Sequence, residues 1–117
     1  VALGFMPEIA DWLRCADVVV GKAGPGTIAE ATCCGVPLVL TSHVPGQERG
    51  NADIVVRAGA GVWAPTVRDL VAVIDRLRAD PVGVHAMRVA SARLGRPGAA
   101  AEAAAVIVNV VKENRRG

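Results

Sequence analysis

Between residues 22 and 51 lie two clusters of side chains able to do chemistry on a polar ligand. The first is KAGPGTIAEA, residues 22 to 31, which directly follows the apolar run Asp17-Val18-Val19-Val20-Gly21. A helix that starts there presents backbone N–H groups without internal partners, and its aligned peptide dipoles add partial positive charge at that end. Gly24 and Gly26 remove two Cβ atoms where an anion would approach, and Pro25 fixes its own φ and stiffens the turn. A phosphate group fits such a place. A plainer reading exists: Thr27 and Glu30 spell T-x-x-E, a capping box in which Glu30 does no more than bond the backbone at the helix start. Spacing alone leaves both open.

The second cluster is PGQERGN, residues 45 to 51. Gln47 both donates and accepts, Glu48 accepts and Asn51 does both, a set better suited to a ligand covered in hydroxyl groups than to a flat base. Sugar recognition is the natural guess, and an ordinary exposed polar loop is the alternative. His43 has no motif partner and counts as a loop residue. Lys22 is either an electrostatic helper at the glycine turn or a solvated lysine at a strand end. Gly24-x-Gly26-x-x-Ala29 also meets the looser dinucleotide fingerprint, which keeps an NAD- or FAD-type module in play. That fingerprint expects an acid at the end of the second strand to bind ribose, yet that strand ends in Thr41, Ser42 and His43. No G-K-[ST] is present, which excludes a Walker-type triphosphate site.

The elements that must hold these clusters are legible from periodicity. VALGF at residues 1 to 5 reads as the tail of a strand. A helix opens at Pro7, with Ile9, Trp12, Leu13 and Ala16 on a buried face. DVVVG and PLVLTS have the continuous apolar character of strands covered on both faces. Between them a helix runs from Thr27 to Cys34, ended by Gly35 with Pro37 beyond. A further helix over 49–58 stops near Gly59 and Gly61, and GVWAP is a short strand. Thr66 opens the next helix with Asp69 three residues on, and Val67, Leu70, Val71, Ile74 and Leu77 form its inner stripe. A helix over 82–94, a GRPG turn and a last helix from Ala99 to Glu113 follow, the last turning Ala103, Val106, Ile107, Val110 and Val111 inward. Strands alternating with helices imply a Rossmann-like α/β/α layer around a parallel sheet. Ligands in such sheets bind beyond the carboxyl ends of the strands, and both polar clusters fall at that edge.

A chain of 117 residues suffices for one domain with a real core and is short for two full domains. With 52% apolar and 21% charged residues it is far from the disordered class. The net charge of +2 divides into −2 over residues 1 to 46 and +4 over residues 47 to 117. A solvated face is the ordinary reading of that surplus, and a surface facing anionic lipid is the other. Nucleic acid is excluded as a partner, because Phe5, Trp12 and Trp63 are the only aromatics and no dense basic run exists. Cys15, Cys33 and Cys34 form no metal-ligand spacing, so a reducing, cytoplasmic setting fits, with Cys15 and Cys33 as small core residues. No uninterrupted apolar run reaches the ~18 residues of a spanning helix, and no signal-peptide pattern is present. The start at Val1, without methionine, reads as the continuation of a longer chain truncated at its N-terminus.

At this point the residues resemble a known family. K-A-G-P-G-T-I-A-E-A followed at this distance by P-G-Q-E-x-G-N is similar to the nucleotide-sugar half of the two-domain GT-B glycosyltransferases. The branch it resembles contains monogalactosyldiacylglycerol synthases and diacylglycerol glucosyltransferases, with the lipid-II-forming N-acetylglucosaminyltransferase a more distant relative. The resemblance covers about residues 1 to 63, and the later helices fit in order. It implies a UDP-sugar-binding domain of an inverting hexosyltransferase with a lipid-like acceptor, the UDP-sugar being substrate and no cofactor being needed. Gly24, Pro25, Gly26 and Thr27 would then hold the diphosphate, Glu30 would accept the ribose hydroxyls, and Gln47, Glu48 and Asn51 would serve the donor sugar. Phe5 and Met6 match the segment that presents main-chain groups to uracil. Enzymes of this kind need no metal held by an acidic pair, and the chain has no D-x-D. The acceptor half, which supplies the general base, is the implied partner, and peripheral contact with a membrane goes with it. This chain alone is expected to transfer nothing. A remnant that has kept the fold without activity, and the dinucleotide module above, are the alternatives.

Overall fold

A computed structural model describes residues 2–115 of the chain. In order the elements are α1 (Ile9–Cys15), β1 (Val19–Lys22), α2 (Pro25–Cys33), β2 (Leu38–Ser42), α3 (Arg49–Arg57), β3 (Gly61–Trp63), α4 (Val67–Ala79), α5 (Pro81–Leu94) and α6 (Ala99–Asn114). The three strands form one parallel sheet in the order β1-β2-β3. Such an arrangement requires crossovers between strands, and α2 and α3 supply them.

Alternation along β2 sends its side chains into two separate cores. Leu38 and Leu40 are fully buried with Ala31, Ala52, Val55 and Ala60, joined by Ile28, Ala90 and Leu94. Val39 faces the other way, packed with Ala64, Leu77, Leu70, Ile74, Val84 and Met87. The sheet is therefore the middle of three layers, the α/β fold expected from the strand pattern. Helix α5 serves both faces, through Val84 and Met87 at its start and Ala90 and Leu94 at its end. Ser91 lies between them, fully buried, and its hydroxyl donates to the Val36 carbonyl at 2.7 Å, so its one polar group is satisfied.

Glycine ends two of the helices as the sequence suggests. After α2, Gly35 takes φ +66° and donates to Thr32 O while Val36 N–H donates to Ala31 O, a Schellman turn. Gly59 (φ +73°) and Ala60 repeat it after α3, through Val56 O and Val55 O. Pro37 and Leu38 then re-enter the sheet fully buried.

Several expectations fail, for related reasons. Residues 2–6 form no strand, and Val1 lies outside the described residues: among the described residues β1 has no neighbour on its outer side, and a strand needs a partner for its N–H and C=O groups. Helix α1 buries none of its residues, with Ile9 44% and Trp12 55% exposed, since no described element covers its apolar face. Helix α6 likewise buries nothing: Val106, Ile107, Val110 and Val111 are all exposed along a molecule 60 Å in its longest dimension. Cys15 and Cys33 are exposed rather than core residues, because they lie on helix faces that nothing covers. The stripe on α4 is also narrower than expected. Leu70, Val73, Ile74 and Leu77 point inward, whereas Val67 is 80% and Val71 54% exposed. Together α5 and α6 contain a window of mean hydropathy 1.2 that could cross a membrane by length and composition, although Pro97 and Gly98 break the helix in two.

Candidate functional site

Helix α2 starts two residues earlier than the T-x-x-E pattern suggests. Gly24 is its N-cap, with extended backbone (φ −69°, ψ 139°), and Pro25 occupies the first turn. Proline is favoured there because its fixed φ is already helical and its missing N–H would have had no partner. Thr27 consequently falls inside the helix, no side chain caps the helix start, and the capping box is not formed. Among the described residues nothing accepts from the N–H groups of Gly26 and Thr27. Gly26 is open as well: a Cβ built on it would meet no atom within 4 Å. Its lack of a side chain thus serves nothing inside the protein, and free amide donors stand at the positive end of a helix dipole. Glu30 is exposed one turn along, where it lines a cleft of about 370 Å³ with Ile9, Leu13 and Arg14. Phe5 is 95% exposed and Met6 half-buried in the segment leading into α1.

The loop after β2 comes to the same edge. Glu48 is only 7% exposed, and its two oxygens are both engaged: Lys22 Nζ donates to Oε1 at 2.7 Å and Val44 N–H to Oε2 at 2.8 Å. These contacts, the lysine first, hold the Glu48 carboxyl below the usual carboxylate range against the opposing effect of burial. Asn51 Nδ2 donates to the Ala23 carbonyl at 3.2 Å, tying α3 to the glycine turn. Gln47 is exposed at the loop tip, beside Gly46 at φ +80°. The structure therefore gathers Gly24, Pro25, Gly26, Thr27, Glu48 and Asn51 around one helix start. His43 does something else: it stacks on Trp63 at 5.4 Å and 28°, and its Nδ1 is buried without a partner among the described residues.

Sequence reasoning placed the two clusters at one edge and missed how they are joined. Lys22 and Glu48 are 26 residues apart, and neither lies in a pattern that announces an ion pair. The one available signal was the run Val18-Val19-Val20-Gly21-Lys22, which delivers a cation to the end of a buried strand.

Comparison with known proteins follows the same line. The family model for the glycosyltransferase family 28 C-terminal domain matches residues 1–103. This chain belongs to that family. Similar relatives include monogalactosyldiacylglycerol synthase 3, chloroplastic, of Arabidopsis thaliana, 42% identical over 71 residues that make up 61% of this chain and 15% of the relative. Probable monogalactosyldiacylglycerol synthase 2, chloroplastic, of Oryza sativa subsp. indica is 46% identical over 66 residues, 56% of this chain and 14% of the relative. Among solved structures, the glycotransferase of kitacinnamycin superposes with a TM-score of 0.60 at 28% identity, over 84% of this chain and 27% of that one. The chain thus spans about one-seventh of the length of these curated relatives. The resemblance read from KAGPGTIAEA and PGQERGN is borne out, and the α/β fold is that of the second half of a GT-B transferase.

Proposed function

We propose that this family 28 domain binds the UDP-sugar donor of an inverting hexosyltransferase whose acceptor is diacylglycerol or a similar lipid. The observation that carries the reading is the uncapped start of α2 with open space at Gly26. Gly24, Pro25, Gly26 and Thr27 form the diphosphate cradle, Glu30 accepts from the ribose, and the main chain at Met6 meets uracil. Gln47 faces the donor sugar, with Glu48 and Asn51 beside it. As the glycosidic bond breaks, negative charge grows on the β-phosphate, and the N–H groups and helix dipole attract it more strongly than in the bound donor. Differential stabilisation of this kind lowers the barrier, and fixed donors need no reorganisation at that moment. A partner half carrying the general base completes the enzyme, so this chain alone binds donor and transfers nothing. The names of the relatives support the lipid-like acceptor. The basic surplus of residues 47 to 117 and the exposed apolar α6 support peripheral contact of the whole enzyme with a membrane surface.

The test is thermal unfolding of the chain with UDP or NAD. A ligand of the native state raises the midpoint, by an increment worth about 2.7 kcal/mol at a hundred times its dissociation constant. UDP should raise the midpoint and NAD should not. A rise with NAD alone, or with neither, overturns the reading, and hexose transfer to diacylglycerol by this polypeptide alone overturns its dependence on a second half. The dinucleotide alternative is disfavoured by the end of β2, where Thr41 and Ser42 stand in place of a ribose-binding acid.

A further inference from the structure

We infer that Lys22 is the cationic contact for the donor diphosphate and that Glu48 is a positioning residue that holds it there. The inference deepens the function proposed above and rests on it. Three features of the sheet edge carry it.

First, the β1–β2 register slips where Lys22 leaves the sheet: Gly21 pairs with Leu40, but Lys22 pairs with Ser42, leaving Thr41 as an extra residue. Such bulges bend a strand and re-aim the side chains beside them. This one is pinned on both sides, by Thr41 Oγ1 donating to Gly21 O at 3.3 Å and Ala23 N–H donating to Ser42 O at 2.8 Å.

Second, the ion pair is lopsided. The Glu48 side chain is 9% exposed and the Lys22 side chain 56%. Glu48 has both oxygens occupied, whereas an ammonium carries three N–H donors and Lys22 uses one on Glu48. The carboxylate is hidden and the cation is open to a second anion. As a stability device a pair this exposed on one side contributes little.

Third, Lys22 lies across the start of α2. A Cβ at Gly24 would stand 3.2 Å from Lys22 Nζ and 3.7 Å from Glu48 Oε1. A cation there faces the positive end of the helix dipole, an unfavourable place that Glu48 compensates in the ligand-free protein. A diphosphate would satisfy cation and helix end together. A side chain at Gly24 would crowd the lysine end above it, and the open space at Gly26 is left for the ligand.

The experiment is calorimetric titration of the chain with UDP and with uridine, which lacks the phosphates, at several salt concentrations. Lys22→Met should weaken UDP binding by about tenfold or more and flatten its salt dependence, leave uridine binding unchanged, and be largely restored in Lys22→Arg. Glu48→Gln should weaken UDP as well, and the double variant should bind no worse than Lys22→Met, the non-additivity expected of residues acting as one unit. Should Lys22→Met fail to fold by circular dichroism, Lys22→Gln gives the same reading. A folded Lys22 variant that binds UDP like the wild type overturns the inference and leaves the donor-site reading standing. So does Glu48→Gln with normal UDP affinity but reduced preference for UDP-hexose over UDP, since Glu48 would then read the sugar directly. A wild-type chain that does not bind UDP overturns both.

Discussion

Two helix starts in this molecule share one sequence pattern and come out differently. Thr66-x-x-Asp69 opens α4 as a closed capping box: Asp69 N–H donates to Thr66 Oγ1 at 3.1 Å and Thr66 N–H to Asp69 Oδ2 at 3.3 Å. Thr27-x-x-Glu30 opens nothing, because α2 has already begun at Pro25 with Gly24 as an N-cap that offers no side chain. The difference comes from what precedes each threonine. Pro65 lies outside the helix and Thr66 keeps extended backbone (φ −112°, ψ 157°), so its hydroxyl can turn back onto the third residue. Upstream of Thr27, strand β1 ends three residues before Pro25, and Pro25 and Gly26 carry the chain into helix at once. One start satisfies its own amides and serves the fold. The other leaves them open at the sheet's carboxyl edge, where the proposed donor diphosphate would be held.

The sharpest way to break this comparison is to fill the open start. Gly26→Ala places a methyl group where no protein atom lies within 4 Å, at a helical position with negative φ. Alanine should stabilise the fold by up to about 1 kcal/mol, since glycine is the weaker helix former. UDP affinity should nevertheless fall by about tenfold or more, and Gly26→Leu should abolish it, because the side chain occupies the approach to the amides. Denaturant midpoints and UDP titrations on the same samples check both halves. A variant that is stabilised and still binds UDP normally would show that the open space is not the diphosphate's.

The opposite change belongs to the capped start. Thr66→Ala should destabilise the chain by about 1 kcal/mol through loss of the cap and leave UDP binding unchanged. Glu30→Ala should do the reverse, leaving the denaturation midpoint within about 0.5 kcal/mol of wild type, since Glu30 is exposed and caps nothing, while UDP binding weakens. If Glu30→Ala proves as destabilising as Thr66→Ala, the two starts are alike in solution and the contrast fails.

These cases also show what a sequence reveals. The strands were legible because Val18-Val19-Val20 and Leu38-Val39-Leu40 are continuous apolar runs; Leu38-Val39-Leu40 is covered on both faces as expected, whereas β1 lies at the sheet edge and leaves Val20 48% exposed. Gly35 and Gly59 were legible as helix ends because positive φ favours glycine. The α4 capping box was legible because its partners are three residues apart. Burial of α1 and α6 was not, because an apolar stripe says which face seeks cover and nothing about whether a neighbour supplies it. The T-x-x-E spelling does not locate the start of α2, because Pro25 takes the first helical position and begins the helix upstream of Thr27. Lys22 and Glu48 meet only once the β1–β2 crossover has closed, and no local pattern encodes that.

The smallest effect concerns how the open start is held at acid pH. The Lys22 and Val44 contacts keep the Glu48 carboxyl below its ordinary value, while an unfolded chain restores that value, about 4.3. The unfolded state therefore takes up the proton first as pH falls, and stability rises with pH through that interval. This contribution is fully present above the unfolded value and is lost as pH drops through the lower, folded one. The groups facing Glu48 are Lys22 and His43, and both act to lower its carboxyl pKa, Lys22 the more strongly. Urea midpoints of wild type and Glu48→Gln, measured from pH 6 down to about pH 3, should converge as the wild type loses this contribution. Curves that stay parallel across the range would mean that Glu48 is not ionised against Lys22, and the difference between the two helix starts would then rest on the glycines alone.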